Sequence, residues 1–115
     1  MLTRDQILAA TDLPTAQVDV PEWGGSVLVR TMTAGQRDRF EASVQGKRIE
    51  DIRATLAALT ICGEDGSLLF SAEDVAALAG KSALALNRVF ETAGRLNGIL
   101  PGDVEELEKN YEGAR

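Results

Sequence analysis

Two short runs of alternating valines around a turn constrain this chain more than any other feature. Val18 and Val20 precede Pro21-Glu22-Trp23-Gly24-Gly25, and Val27, Val29 and Thr31 follow it. A period of two puts each set on one face of a strand. The connection consists of turn residues: Pro21 holds φ and offers no donor, while Gly24 and Gly25 accept positive φ where the chain reverses. The pattern predicts a β-hairpin over residues ~16–31. A turn does not need a tryptophan, yet Trp23 is the only one in the chain. Its ring either folds back over the edge of the core or projects as a recognition anchor.

On both sides of the hairpin the period is helical. "MLTRDQILAATDL" predicts a short opening helix, with Thr3 as cap, Gln6 reaching back to it, and Leu13-Pro14 as its end. Thr33 and Gln36 repeat that spacing ahead of "TAGQRDRFEASVQ", where Phe40 and Val44 lie one turn apart and Gly46 closes the helix. In "RIEDIRATLAALT", Ile49, Ile52, Leu56 and Leu59 line one face, and the alanines between them permit close packing. "GEDGSLLF" turns at Asp65-Gly66, so residues 61–70 form a small hairpin-like excursion or an extended connector.

Ser71 caps a short helix that ends at Gly80. The longest helix follows in "KSALALNRVFETAGRLNG", with Leu86, Val89, Phe90, Ala93 and Leu96 on one stripe and Gly98 as its stop; Phe90 is expected at the centre of the core. "DVEELEKN" predicts a last helix with Val104, Leu107 and Tyr111 on one side, and "YEGAR" is expected to fray. No repeat, low-complexity segment or long linker divides the 115 residues, enough to bury roughly two-thirds of the unfolded surface. The expected fold is α+β and predominantly α-helical, a small single domain of about five helices with an N-terminal β-hairpin.

Charge and composition narrow the function. A net charge of -6 opposes binding to nucleic acid or anionic membrane surfaces, which offer this chain no counter-charge. The chain has no histidine, the side chain most used for proton transfer near neutral pH and the commonest imidazole metal ligand. The one cysteine, Cys62, excludes an internal disulfide and reads as a small buried hydrophobe. No export leader or long apolar run is evident, which suits a reducing, intracellular compartment.

Candidate chemical motifs are sparse. Glu64-Asp65 is too short a fragment for a calcium loop. The glycines of "EWGGS" lie between strands, with no helix start to hold a phosphate. Arg37, Asp38, Arg39 and Glu41 read as a solvated helix face. Nothing around Glu105, Glu106 and Glu108 indicates the apolar cleft that would raise one carboxyl above its neighbours. The expectation is a protein that is not an enzyme and uses no cofactor or metal.

The order of blocks carries more than any single motif. "MLTRDQILAATDL", "VDVPEWGGSVLVRTMTAGQRDRFEAS", "GEDGSLLFSAEDVAALAGKSALALNRVFETAGRLNG" and "DVEELEKN" together resemble the tail assembly chaperones of long-tailed bacteriophages and prophages, over almost the whole chain except residues 46–58. The resemblance implies a single tail-assembly-chaperone-like domain over residues 1–115. It implies a non-virion protein of the host bacterial cytoplasm that binds the tape measure protein, keeps it soluble and promotes tail tube assembly. A helical groove could shield the apolar stripes of long amphipathic helices before the tube covers them.

In many members of that family a programmed frameshift adds a second domain that contacts the tail tube protein. Glu108-Lys109-Asn110 is compatible with a slippery run in the gene, and equally with an ordinary charged helix end. Candidate partner-binding residues are Trp23, Met32 and Phe70, if the hairpin forms an apolar patch, and Leu107 and Tyr111, if the groove lies between helices. The patch would serve a tape measure helix or another copy of the chain, so a homo-oligomer is open. Two other readings compete: a structural virion component such as a tail terminator or head-tail connector subunit, and an acidic nucleic-acid mimic. The second would need its carboxylates in a regular stripe, whereas here they are interspersed with Arg and Lys.

Overall fold

The computed structural model describes residues 1–46 and 49–99. Elements follow in the order α1 (Arg4–Ala9), β1 (Thr15–Val20), β2 (Gly25–Arg30), α2 (Ala34–Val44), α3 (Ile49–Thr60), β3 (Ile61–Cys62), α4 (Val75–Ala79) and α5 (Ala83–Leu96). Five α-helices and a three-stranded antiparallel sheet of order β1-β2-β3 therefore make an α+β fold. The expected final helix around Leu107 and Tyr111 lies outside the described residues.

The hairpin is built as its valines demand. Val18 pairs with Val27 and Ala16 with Val29, so these side chains share one face, which turns inward. Val18, Val20 and Val29 are buried there, and the opposite face carries Gln17, Asp19 and Ser26. Between the strands, Pro21–Trp23 form a single 3-10 turn, and Gly24 ends it at φ +76°, where a Cβ would be strained. β3 adds to β2 through Leu28↔Cys62 and Val29↔Ile61. The strand then folds back at the Asp65-Gly66 turn so that Leu68 bridges Cys62, making residues 61–70 a hairpin-like excursion.

Helix α5 packs against β1, β2 and α3, and α3 also meets α2 and α4. The core lies between them: Phe40 and Val44 from α2, Ile52 and Leu56 from α3, Ile61, and Ala85, Leu86, Val89 and Ala93 from α5. Each large side chain buried in this way contributes about 1.5–3 kcal/mol of transfer free energy. Thr60, the buried polar residue among them, is satisfied because its hydroxyl donates to the Leu56 carbonyl at 2.7 Å.

Two expectations need correction. Phe90 does not occupy the centre of the core; it is half-buried at the margin, and Phe40 takes the central place. The stripe that α5 buries runs through Leu86, Val89 and Ala93, and Phe90 lies one residue, about 100°, round the helix from Val89. The opening helix is also shorter than the sequence up to Pro14 would allow. The capping box of Thr3 and Gln6 is present, but Ala10 is already extended, because no tertiary contact holds a further turn and α1 buries no residue.

Candidate functional site

The main concavity lies where α2, α3 and the segment leading into α4 diverge. It is a groove of about 810 Å³ with Ala42 and Ser43 on one wall, Ala58 and Leu59 on another, and Phe70 and Val75 on the third. Small residues at positions 42, 43 and 58 create the space: the helices meet through Phe40, Val44, Ile52 and Leu56, and the flanking alanines leave the cleft open beside that contact. Arg39 is the charged side chain of the lining, held by donation from its Nε to the Gly35 carbonyl at 3.2 Å. At one end, Gln36 accepts from Arg30 at 3.1 Å, and a second Arg30 nitrogen donates to the Gly66 carbonyl at 2.9 Å. These bonds tie the groove to the sheet and to the 61–70 turn.

Phe70 connects this groove to a smaller cavity. On its other side a pocket of about 280 Å³ is enclosed by Trp23, Phe70, Ala77, Leu78, Asp74 and Lys81. Trp23 is half-buried and packs on the core, with part of its ring left to this pocket. Its position is set by its neighbour: Glu22 accepts two bonds from Arg88 of α5, at 2.9 and 3.1 Å, which fastens the 3-10 turn to the helix. The same bonds hold the Glu22 carboxyl below the usual carboxylate range and push Arg88 up.

The other residues named from sequence are divided by the fold. Met32 is buried, and its backbone N–H donates to the side-chain oxygen of Asn97 at 2.6 Å, so it supports the start of α2 from within. Leu107 and Tyr111 lie outside the described residues. The α2–α3 wall was not singled out beforehand, although the run "ATLAAL" already marked α3 as a helix that lets neighbours come close.

Cys62 is buried in β3, and loss of solvent pushes its thiol up, away from the reactive thiolate. Asp65 is held low by the Ser67 N–H and hydroxyl, each at 3.0 Å, which is the chemistry of a turn. No described helix is long and apolar enough to cross a membrane. The described surface is suited to packing against another polypeptide: an apolar cleft, an adjoining aromatic pocket and a cation at the edge.

No protein-family model matches the chain, and no curated protein matches it. A solved structure does. The bacteriophage HK97 tail assembly chaperone superposes with a TM-score of 0.61 at 21% sequence identity, over 80% of this chain and 90% of that one. This chain has the fold of a phage tail assembly chaperone. The likeness spans the hairpin and the helical body together, since no smaller part could supply 80% of the chain. In this chaperone fold Phe70 stands between the two cavities, and Trp23 closes the smaller one.

Proposed function

We propose that this protein is a phage tail assembly chaperone that binds the tape measure protein, keeps it soluble in the host bacterial cytoplasm and promotes tail tube assembly. The observation that carries the reading is the shared fold with the HK97 chaperone over most of both chains. The groove supplies a physical means. Its apolar floor and length along α2 and α3 suit one amphipathic helix, which would anchor side chains at i, i+3 and i+4 spacing and leave its polar face in water. Holding of this kind uses binding energy alone and needs no cofactor or catalytic group.

In this proposal Trp23 and Phe70 contact the client and Met32 supports them from within, while Leu107 and Tyr111 extend the contact from the remainder of a domain spanning 1–115. A frameshift at Lys109-Asn110 would produce a longer form that reaches the tail tube protein, and the protein itself would be absent from mature virions. An AAG codon at Lys109 would remove that slip site.

Co-expression with the tape measure protein encoded beside it tests the reading. The expected result is a soluble complex on size-exclusion chromatography that survives high salt, because apolar burial is not screened, and a shift of Trp23 emission on binding. A tape measure protein equally insoluble with and without this chain would overturn it. Recovery of the chain by mass spectrometry from purified virions would favour the structural-component reading instead.

A further inference from the structure

The first helix is complete, capped and unused. Within α1 the Thr3 hydroxyl accepts from Gln6 N–H at 3.2 Å and the Gln6 side chain accepts from Thr3 N–H at 2.9 Å, yet none of its residues is buried. Leu2, Ile7 and Leu8 are 74%, 57% and 69% exposed, placing three of the chain's large exposed hydrophobics on this one segment. Leu2 and Ile7 hold the positions on either side of the cap that face each other in a hydrophobic staple, and Leu8 extends the same apolar side. A helix of this length is marginal in water without a surface to pack on. Its connection to the body, residues 10–14, is extended and ends where the Pro14 carbonyl accepts from Thr31 N–H, so the arm stands off from the rest of the chain.

We propose that α1 is an exchange arm: it docks into the groove between α2, α3 and Phe70 of a second copy of this chain, whose own arm docks back. Size and chemistry match. The groove holds about 810 Å³ and is walled by Ala42, Ala58, Leu59 and Phe70, space for the side chains of a helix under two turns long. Its charged lining residue is Arg39, whereas the arm and its connector carry Arg4, Asp5 and Asp12, a balance of one negative charge. At roughly 100 Å² for each of three side chains, two arms in two grooves bury roughly 1,200 Å² counting both partners, above the ~1,000 Å² that a specific interface needs.

Reciprocal exchange is a closed two-fold arrangement, so it ends at a dimer. The dimer does not rest on the chaperone reading. Where that reading also holds, arm and client compete for one groove, and the arm keeps the apolar surface covered until a client helix displaces it.

The test uses the full chain without any client. Light scattering after size-exclusion chromatography is expected to show a dimer that dissociates on dilution, and the doubly substituted Ile7→Asp, Leu8→Asp chain is expected to be a monomer with unchanged thermal unfolding of the body. A Leu8→Cys chain mixed with an Ala42→Cys chain, both of whose sites are exposed, is expected to form the mixed disulfide on oxidation. A wild-type chain that stays monomeric at millimolar concentration would overturn the proposal. So would a dimer unaffected by the two aspartates, or a chain carrying both cysteines that cross-links only within itself. Loss of tape measure binding with the dimer intact would count against the client reading alone.

Discussion

The side-chain amide of Asn97 holds the backbone of Met32 at 2.6 Å, joining the end of α5 to the junction between β2 and α2. Its nitrogen donates to the Ala93 carbonyl at 2.8 Å and to the Arg30 carbonyl at 3.3 Å, and Arg37 donates to the Asn97 carbonyl at 2.7 Å. One residue thus satisfies groups from three elements at a place where neither helix nor sheet can do so. Gly98, at φ +69°, then turns the chain away. Asn97→Ala leaves the partly buried Met32 N–H without its acceptor and is expected to cost about 1–3 kcal/mol in denaturant unfolding. A cost below the error of the measurement would show that solvent replaces the amide there.

Phe40 and Phe90 provide a direct comparison within one core. Phe40 is 2% exposed at the centre, and Phe90 is half-buried at the edge. Phe40→Ala is expected to cost about 3–5 kcal/mol, a large share of the stability of a domain this size. Phe90→Ala opens no closed cavity and is expected to cost about 1–2 kcal/mol. Equal unfolding midpoints for the two variants would contradict the placement.

The Glu22–Arg88 pair predicts an acid-dependent contribution to stability. The folded carboxyl titrates below its unfolded value near ~4.3 because Arg88 bonds to its charged form. The native state therefore binds fewer protons than the unfolded chain in that window. The contribution is present above the unfolded value and is lost as pH falls through the folded one. The difference in Tm between wild type and Glu22→Gln should be steady from about pH 7 to 5 and shrink below about 4. Because the pair is partly exposed, with Arg88 at 46%, 1 M salt should reduce it too. A difference undiminished at pH 3 would assign the effect to packing.

Cys62 is expected to be inert in the folded protein. Its side chain is 3% exposed and its thiol is pushed up by burial, so little thiolate is present near neutral pH. Reaction with a thiol-specific aromatic disulfide should track global unfolding, accelerating with denaturant. Immediate labelling in native buffer would show local opening of the β3 region.

Trp23→Ala separates the hairpin's role in binding from its role in folding. The turn keeps Pro21, Gly24 and the Glu22–Arg88 bonds, so the expected loss of stability is modest, about 1–2 kcal/mol for a half-buried ring. If Trp23 contacts the client, capture of the tape measure protein should fall several-fold in the same variant. Unchanged capture would move the contact to the α2–α3 groove.

Local rules determined the elements. Capping boxes at Thr3 and Thr33, the valines of period two around Pro21, and the stripe of Ile52 and Leu56 are contacts within a few residues, so the order of helices and strands was legible in the amino acids. So was the Asp65-Gly66 turn, because an aspartate that accepts from the residue two positions on makes its bond locally. Tertiary structure decided which of several apolar faces became the core and which remained open. Val89 and Phe90 are adjacent in sequence and equally apolar, and only the line along which α5 meets β1 and α3 buries one and leaves the other at the margin. The groove beside Ala42 and Ala58 and the pocket shared by Trp23 and Phe70 join residues far apart in the chain. A cavity belongs to the way helices diverge, which depends on every packed side chain at once.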